Sequence, residues 1–457
     1  MSRQFDAIIV GAGQAGPSLA GKLTGAGMNV AVIERKLFGG TCVNTGCMPT
    51  KTLVASAYAA HLARRAGDFG VMLDAPPRID MKRVKARADA ISGHAREGVE
   101  GWLRSMAGCT VIQGHARFEG PHTLRVGDEL LTAPRIFLNV GGRAVEPRMP
   151  GGDRIAYLNN VSMLQLDRVP EHLLVIGGGY IGLEFAQMHR RFGAQVTVVE
   201  MGKRLVSRED PEVSEAVHDI LVAEGITVRL NAECIRFAPH AGGIMIGVDC
   251  TEGSPEIVGS DVLLAIGRRP NTDDLGLDKA GVATDARGHI TVDEGLQSNV
   301  PGIWALGDCN GRGGFTHTSY NDFEILAANL LDGEQRRVGD RILGYALYID
   351  PPLGRVGLTE TAARAAGRNV LVGSRKMSQI GRAIEKGETQ GLMKIVVDAD
   401  SQKILGAAIL GPGGDEAIHG ILDVMNLDAP FTALQRAMPI HPTVSELIPT
   451  VLGELHP

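Results

Sequence analysis

One pattern of hydrophobic positions occurs twice along the chain. An apolar run, a glycine-rich turn, a helix-like stretch and a second apolar run ending in an acid begin near Ile8 and again near Leu174. Apolar runs that do not alternate with polar residues are typical of parallel strands buried on both faces. The pattern predicts two βαβ units, and therefore an α/β fold with two Rossmann-like dinucleotide-binding domains.

Each glycine-rich turn has the spacing GxGxxG, follows a predicted strand and opens a predicted helix. The first copy comprises Gly11, Gly13 and Gly16 with Glu34, and the second comprises Gly177, Gly179 and Gly182 with Glu200. Glycines let the backbone approach a pyrophosphate, the helix N-terminus offers free N–H groups, and the acid accepts hydrogen bonds from ribose hydroxyls. In this setting two dinucleotide sites are favoured over two ordinary strand–turn–helix units.

The pattern changes after about residue 340 and predicts an α+β C-terminal domain with an antiparallel sheet. The predicted elements are strands at Tyr345–Ile349, Arg355–Thr359, Leu392–Val397 and Ile404–Leu410 and helices at Asp415–Asn426 and Val444–Leu452. Glycine-rich segments around Gly142 and Gly267 are interpreted as crossings between domains. The predicted boundaries are 1–150 and 273–338 for the first dinucleotide domain, 151–272 for the second and 339–457 for the C-terminal domain.

Composition narrows the classes of protein. The 457 residues carry a net charge of −6 and 4% aromatics, which argues against a nucleic-acid partner. Six cysteines are too few for a disulfide-built secreted fold. No apolar run has the length of a membrane span and the N-terminus has no signal-peptide layout, so we expect a cytoplasmic protein without a membrane partner.

Two cysteines with the spacing C-x4-C, Cys42 and Cys47, follow the first dinucleotide unit. This is not a zinc-ribbon spacing, no second pair stands nearby, and no metal site is predicted. A helix is predicted from Cys47 through Arg64, and a thiol at a helix N-terminus has a lowered pKa. Lys51, one turn further on, adds positive charge. The remaining cysteines are expected to be structural thiols: Cys109, Cys234, Cys250 and Cys309.

The run Gly-Gly-Thr-Cys-x4-Cys-x3-Lys between two dinucleotide fingerprints resembles the class I pyridine nucleotide–disulfide oxidoreductases. That family includes glutathione reductase, dihydrolipoamide dehydrogenase and mercuric reductase, and the resemblance covers almost the whole chain. The segments at Met48–Leu53, Asp350–Gly357 and His441–Leu447 resemble its mercuric-reductase-like branch.

The resemblance implies FAD at the first fingerprint and NADH or NADPH at the second. Gly307-Asp308 looks like the second FAD motif, and the helix starting at Thr316 would point its N-terminus at the flavin. Lys51 would lie near flavin N5 and pair with Glu184, and Tyr180 would gate the nicotinamide, although a packing aromatic is the alternative. The implied cofactor-binding residues are Gly11, Gly13, Gly16, Glu34, Gly40, Thr41, Lys51, Gly142, Gly177, Gly179, Tyr180, Gly182, Glu200, Gly267, Gly307, Asp308 and Thr316.

A His-Pro-Thr-x-x-Glu signature, from His441 to Glu446, stands near the C-terminus. A lone histidine is usually structural, but in the family this histidine is the acid–base for the partner subunit's interchange thiol and the glutamate orients it. A neutral imidazole can take up and return a thiol proton near pH 7. The resemblance therefore implies a homodimer with shared active sites.

These features predict an FAD-dependent NAD(P)H oxidoreductase that passes electrons through a Cys42–Cys47 disulfide to a small disulfide or soft oxidant. The predicted catalytic residues are Cys42, Cys47, Lys51, Glu184, His441 and Glu446. The alternative is a mercuric or copper(II) ion reductase that uses the same dithiol, since thiolates prefer soft ions. A non-catalytic redox sensor is the third hypothesis. No cysteine follows Cys309, whereas mercuric reductases typically carry a C-terminal cysteine pair, which argues against efficient mercury reduction.

Several questions stay open at this point. Glu200 favours NADH because it would repel a 2′-phosphate, while Lys203 and Arg204 could accommodate one. His317 either lies beside the flavin or has only a packing role. The sequence does not name the substrate, nor the redox state of the cysteine pair.

Overall fold

The computed structural model describes residues 2–249 and 253–457, except for the side chain of Cys234. Its strands are β1 (Ser2–Gln4), β2 (Ala7–Val10), β3 (Val30–Glu34), β4 (Cys109–Gln113), β5 (Ala116–Gly120), β6 (Thr123–Val126), β7 (Glu129–Thr132), β8 (Ile136–Leu138), β9 (Gly142–Ala144), β10 (His172–Ile176), β11 (Gln195–Val199), β12 (Thr227–Arg229), β13 (Glu233–His240), β14 (Gly243–Asp249), β15 (Glu256–Gly259), β16 (Asp261–Leu264), β17 (Arg268–Pro270), β18 (Ile303–Ala305), β19 (Gly344–Leu347), β20 (Leu353–Gly357), β21 (Val370–Lys376), β22 (Leu392–Asp398) and β23 (Ile404–Leu410). Its helices are α1 (Ala15–Gly25), α2 (Gly40–Thr45), α3 (Cys47–Arg64), α4 (Met81–Ser105), α5 (Asn160–Met163), α6 (Tyr180–Phe192), α7 (Pro211–Ala223), α8 (Leu277–Ala280), α9 (Thr316–Leu331), α10 (Glu360–Ala365), α11 (Gly381–Glu385), α12 (Gly414–Ala417), α13 (His419–Asn426), α14 (Thr432–Gln435) and α15 (Ile448–Gly453).

The chain folds as two compact units, and the first comprises residues 2–52, 85–146 and 267–341. It contains a parallel sheet in the order β18-β8-β2-β3-β4. Ile8 and Val10 belong to a hydrophobic core on one side of this sheet, and Ala7 and Ile9 belong to a second core. Because both faces of β2 are buried, its sequence is continuously apolar, as the first βαβ prediction required.

The two glycine-rich crossings meet in this first unit. Strands β9 and β17 pair antiparallel, with Gly142 opposite Pro270 and Ala144 opposite Arg268. A further four-stranded sheet, in the order β1-β7-β6-β5, completes the sheets of the unit. The first compact unit therefore combines chain segments that precede the second predicted βαβ motif with segments that follow it.

The second unit comprises residues 53–84, 147–266 and 342–457. Its parallel sheet has the order β12-β11-β10-β16, with α6 following β10. This arrangement repeats the strand–turn–helix–strand unit that begins with β2. The predicted boundaries between domains remain predictions, because the units group the chain by compactness and not by function.

The C-terminal part of the second unit is an antiparallel sheet in the order β19-β20-β23-β22-β21. Strand β21 carries no clear alternation in the sequence and was not predicted. The predicted helix Asp415–Asn426 is divided into α12 and α13 at Ile418, and the predicted helix Val444–Leu452 begins as a 3₁₀ turn, Ser445–Leu447, before α15. Helix α3 has the predicted bounds.

A buried ionic cluster joins the start of α7 to the antiparallel sheet within the second unit. Arg355 donates three hydrogen bonds to Glu209, at 2.5 Å, 3.0 Å and 3.3 Å, and both side chains are at most 3% exposed. Lys394, 1% exposed, pairs with Asp210 at 3.2 Å and with Glu360 at 2.7 Å. Buried charges require paired partners, so these contacts fix the loop before α7 against the sheet.

Candidate active site

The first fingerprint turn connects β2 to α1. Gly11 has φ +106°, and a Cβ there would lie 2.3 Å from the carbonyl oxygen of Asn139, so a side chain is excluded. A Cβ on Gly16 would lie 2.4 Å from the Gly11 carbonyl oxygen. No side chain caps the N-terminus of α1. The helix therefore presents backbone N–H groups and its positive end to a phosphate, which fits a dinucleotide.

Glu34 stands at the end of β3, and its carboxylate is held in place by the backbone. Oε2 accepts a hydrogen bond from the Ala12 N–H at 2.9 Å, and Oε1 accepts one from the Lys36 N–H at 2.8 Å. A Cβ on Gly40 would lie 2.8 Å from the Gly13 Cα, so the approach to the cysteines passes close to the fingerprint turn. Each carboxylate oxygen retains a lone pair that suits a ribose hydroxyl.

The turn at Gly307-Asp308 follows β18 in the same unit. The Gly307 N–H donates to Asp322 Oδ2 at 2.7 Å, and Asp322 also accepts from the Asn310 side chain at 2.8 Å. Asp308 accepts from Arg268 at 3.3 Å, and Arg268 donates to the Gly142 carbonyl oxygen at 2.7 Å. Both crossings and the Gly307 turn are thus joined by hydrogen bonds. We retain the flavin-binding roles of Gly142, Gly307 and Asp308 as a proposal.

The dithiol spans two consecutive helices, with Cys42 inside the short helix α2 and Cys47 as the first residue of the 18-residue helix α3. Both cysteines are half-buried free thiols joined by a hydrogen bond. The Thr316 hydroxyl, at the N-terminus of α9, lies 3.1 Å from Cys47 Sγ. Two helix N-termini therefore meet at Cys47, and each favours a negative charge there.

The two thiols have opposite proton affinities. The hydrogen bond from Cys42, with further contributions from Thr316 and Lys51, outweighs burial and lowers the pKa of Cys47 to about 6. The same contact and burial raise the pKa of Cys42 well above its ordinary value. Cys47 is therefore the thiolate of the reduced pair near neutral pH, and Cys42 keeps its proton.

The other cysteines differ in environment from this pair. Burial raises the pKa of Cys309 to about 12, and burial also raises the pKa of Cys109. Neither is activated as a nucleophile. The expectation for Cys250 and for the side chain of Cys234 falls outside the described residues.

The second fingerprint, in the second unit, repeats the first turn. Gly177 has φ +110°, and Gly182 packs against the Gly177 carbonyl oxygen as Gly16 packs against that of Gly11. A Cβ on Gly179 would meet no atom of the described residues within 4 Å, so this glycine leaves open space at the start of α6. Glu200 accepts hydrogen bonds from the Gly178 and Gly202 N–H groups at 2.5 Å and 2.6 Å. Tyr180 is half-buried at the first turn of α6.

Three further predicted site residues, and His317, whose role the sequence left open, have definite environments. Glu184 is 3% exposed and accepts a hydrogen bond from the Tyr348 N–H at 3.0 Å. His441 Nδ1 lies 2.8 Å from Glu446 Oε2, and its ring is 81% exposed while Glu446 is largely buried. His317 stacks on Phe315 with ring centroids 5.4 Å apart. The Lys51–Glu184 pair and the gate at Tyr180 remain proposals.

Several polar residues that hold the site have no signature in the sequence. Asn44 donates to the carbonyl oxygens of Phe38 and Gly40 and so closes the loop before the dithiol. Asp322 orients the Gly307 turn, and Asn139 donates to the Gly11 carbonyl oxygen at 3.1 Å. The contact of Thr316 with Cys47 was also not foreseen. The contacts of Asn139 and Thr316 join residues distant in sequence, so no local pattern predicts them.

Within residues 2–249 and 253–457, no group of three or more histidine, cysteine or acidic side chains is arranged to hold a metal ion. Over that same part of the chain, none of the helices is both long and apolar enough to cross a membrane.

Fold and site together define a class of protein, a flavoenzyme that couples a nicotinamide nucleotide to a reactive dithiol. The sequence profile of the family described as pyridine nucleotide-disulphide oxidoreductase matches residues 5–322. The profile of that family's dimerisation domain matches residues 344–452 and indicates a homodimer. The chain belongs to the pyridine nucleotide–disulfide oxidoreductases.

Individual relatives cover nearly the whole chain. The probable pyridine nucleotide-disulfide oxidoreductase RclA of Escherichia coli K12 is 34% identical over 451 residues, 97% of each chain. Mercuric reductase of Streptomyces lividans is 32% identical over 443 residues, 96% of this chain and 93% of that protein. A solved Cu(II) complex of the HOCl-induced flavoprotein disulfide reductase RclA from Escherichia coli has a TM-score of 0.89 at 33% identity and covers 99% of each chain. The predicted family, fold class and enzyme class are confirmed.

Proposed function

We propose that this enzyme passes electrons from NADH, through FAD and the Cys42–Cys47 pair, to a small disulfide or a soft oxidant. The observation that carries the proposal is the environment of Cys47, which has Cys42, Thr316 and the starts of two helices around it. A cytoplasmic location belongs to the proposal, because free thiols persist in that compartment.

The first fingerprint, Glu34 and the Gly307-Asp308 turn would hold FAD, and the second fingerprint with Glu200 would hold the nicotinamide nucleotide. Bound FAD would accept a hydride from the nicotinamide and return two electrons to the Cys42–Cys47 disulfide. The chain's own contribution is to stabilise the resulting thiolate at Cys47 and leave the proton on Cys42. Lys51 adds positive charge beside that thiolate.

Substrate reduction then proceeds by thiol–disulfide exchange. Cys42 loses its proton to a base and attacks one substrate sulfur, forming a mixed disulfide and releasing the first substrate thiol. The Cys47 thiolate attacks Cys42 Sγ, which reforms the Cys42–Cys47 disulfide and releases the second thiol. Two electrons thus pass to the substrate disulfide. The first product thiol takes the proton that Cys42 gave up, and the second product leaves as a thiolate that takes its proton from solvent.

We assign the proton transfer to His441, oriented by Glu446 at 2.8 Å. Its 81% exposed ring suits a histidine that acts on the cysteines of a partner subunit. Mixing two inactive variants, Cys42→Ser and His441→Ala, under conditions of subunit exchange tests this assignment. Half of the resulting dimers carry one competent site, so we expect about a quarter of wild-type activity. Activity that stays at the level of the separate variants would contradict shared sites.

NADH is the proposed nucleotide because both oxygens of Glu200 are anchored by backbone N–H groups at 2.5 Å and 2.6 Å. A carboxylate fixed in this way cannot easily move away from a 2′-phosphate, which it would repel. Steady-state KM values for NADH and NADPH test the choice. Glu200→Ala should narrow the difference between them, while Glu171→Ala, on the same domain but away from the turn, should not.

A metal-ion reductase is the second candidate. The solved relative is a Cu(II) complex, and a mercuric reductase is among the relatives. A thiolate beside a second thiol can bind a soft ion without the proton transfer that His441 supplies. Assays with glutathione disulfide, lipoamide, Cu(II) and Hg(II), each with His441→Ala beside the wild type, separate the candidates. Disulfide reduction should fall in the variant, and metal reduction should be far less affected. A sensor would turn over none of the four.

The redox role of the dithiol is tested by anaerobic titration of the flavin-loaded protein with NADH. A thiolate next to oxidised flavin gives a long-wavelength absorbance band, which should appear in the wild type and be absent in Cys47→Ser. A wild type without the band would contradict the proposal.

A further inference from the structure

The two fingerprint turns differ at one buried position, and the difference concerns Asn139. Asn139 follows β8 and donates its backbone N–H to the Val10 carbonyl oxygen at 2.8 Å. In the second copy Ala265 follows β16 and donates its N–H to the Ile176 carbonyl oxygen at the same distance. The two residues therefore occupy equivalent positions, one with a carboxamide and the other with a methyl group.

Packing confirms the equivalence. A Cβ on Gly16 would lie 3.0 Å from Asn139 Nδ2, and a Cβ on the matching Gly182 would lie 3.2 Å from Ala265 Cβ. The backbone of each turn is thus built the same way. Because alanine suffices in the second copy, the turn itself does not require a polar side chain here.

The carboxamide nevertheless lies in a largely buried residue, since Asn139 is 7% exposed. Nδ2 donates to the Gly11 carbonyl oxygen at 3.1 Å, and no other partner of the side chain is found among the described residues. Among those residues, Oδ1 is not one of the fully buried side-chain atoms that lack a partner, so it stays accessible. The second Nδ2 hydrogen and Oδ1 are therefore available to a ligand.

The position of Oδ1 indicates which ligand. It lies 4.0 Å from where a Cβ on Gly13 would be and 3.8 Å from where a Cβ on Gly307 would be. Gly13 belongs to the turn proposed to hold the diphosphate. Gly307 belongs to the turn that resembles the family's second FAD motif, in which the aspartate binds the ribityl chain. A carboxamide can donate to a phosphate oxygen and accept from a hydroxyl.

We propose that Asn139 binds the ribityl phosphate of the flavin nucleotide and thereby distinguishes the first fingerprint from the second. This inference rests on the assignment of FAD to the first fingerprint. Its nearest rival is a purely structural role, in which Asn139 only fixes the Gly11 carbonyl group.

The test uses apoprotein of the wild type and of Asn139→Ala, which has the residue of the second copy. Flavin fluorescence quenching measures the FAD dissociation constant, and FMN and ADP serve as competing probes for the two halves of the cofactor. Losing hydrogen bonds to a charged group should raise the dissociation constant of FAD by about 10-fold or more. FMN should compete less well in the variant, and ADP should compete as it does in the wild type.

A second variant and a stability measurement distinguish weaker FAD binding from misfolding of the protein. Asn139→Asp keeps the shape but puts a negative charge beside the Gly11 carbonyl group and the phosphate, so FAD binding should weaken further. Thermal unfolding of each apoprotein provides the structural control. Unchanged FAD affinity in Asn139→Ala, or a loss accompanied by an equally large loss of apoprotein stability, would overturn the inference. A wild type that binds no FAD would instead overturn the proposed function.

Discussion

The contact between Thr316 and Cys47 gives the sharpest prediction. At 3.1 Å the hydroxyl can donate a hydrogen bond to the Cys47 thiolate. Thr316→Val removes the donor and keeps the β-branched shape. A hydrogen bond to a charged group contributes about 1.5–3 kcal/mol, and one pKa step corresponds to about 1.4 kcal/mol. The pKa of Cys47, now about 6, should therefore rise to between about 7 and 8 in the reduced variant.

The measurement is the pH dependence of iodoacetamide alkylation of the reduced protein, with the labelled cysteine located by fragmentation mass spectrometry. The midpoint of the profile is the quantity to compare. The rate at a single pH is a poor measure, because thiolate nucleophilicity rises as the pKa rises and offsets the smaller thiolate fraction. Since the two thiols are coupled, the midpoint describes the first proton lost from the pair.

Thr316→Ser is the matched control, since it keeps the hydroxyl and should leave the midpoint close to that of the wild type. A Thr316→Val midpoint equal to the wild-type value would show that the hydroxyl does not stabilise the thiolate. An equal rise in both variants would assign the effect to packing at the start of α9. Either result would refute the reasoning.

Further predictions concern buried charge and a buried histidine. Lys394→Met should destabilise the protein by about 3 kcal/mol in urea unfolding, because the buried Asp210 loses its nearest cation and the next one, Arg355, is 3.8 Å away. Adding Asp210→Asn should recover part of the loss, and a single variant as stable as the wild type would contradict this. His189 is 1% exposed and neither ring nitrogen has a partner among the described residues, and burial lowers its pKa from 6.5 to about 4. Protonation therefore favours the unfolded chain, so this histidine costs stability increasingly as the pH falls from 6.5 towards 4. His189→Leu should exceed the wild type in stability by a margin that widens over that interval in denaturant titrations, and a constant margin would refute the assignment.

The sequence predicted the elements whose hydrophobic residues or glycines have a clear local pattern. The two βαβ units and the bounds of α3 follow from apolar runs, glycine spacing and a helix start at Cys47. Strand β21 was not predicted because its sequence includes Gly373, Ser374 and two basic residues. Its extended conformation depends on pairing with β22 along its length. Where tertiary pairing decides the conformation, local preference is a weak guide.

The candidate site likewise contains residues that the sequence predicts and residues that it does not. Cys42 and Cys47 stand in one short run of sequence, so their spacing carried the prediction. Thr316, by contrast, reaches Cys47 from α9, and Asp322 reaches the Gly307 turn from within that helix. The Thr316 contact adds to the hydrogen bond from Cys42 in lowering the pKa of Cys47, and the Asp322 contact shapes the Gly307 turn. No spacing rule identifies either of these long-range contacts.

Helix α6 shows how such contacts give one residue a second role. It begins at the second fingerprint, and along one face Glu184, Gln187 and Arg191 bind the segment 348–350, which lies between β19 and β20 of the antiparallel sheet. Glu184 accepts the Tyr348 N–H at 3.0 Å, Gln187 exchanges two hydrogen bonds with the Asp350 backbone, and Arg191 pairs with the Asp350 carboxylate at 2.6 Å. The second fingerprint turn is therefore connected through α6 to a segment of the dimerisation domain. Glu184 is one of these three α6 residues, so Glu184→Ala should disturb the contact of α6 with the segment 348–350 as well as any charge pairing with Lys51. A loss of activity in this variant therefore has two sources, and only one of them is the pair with Lys51.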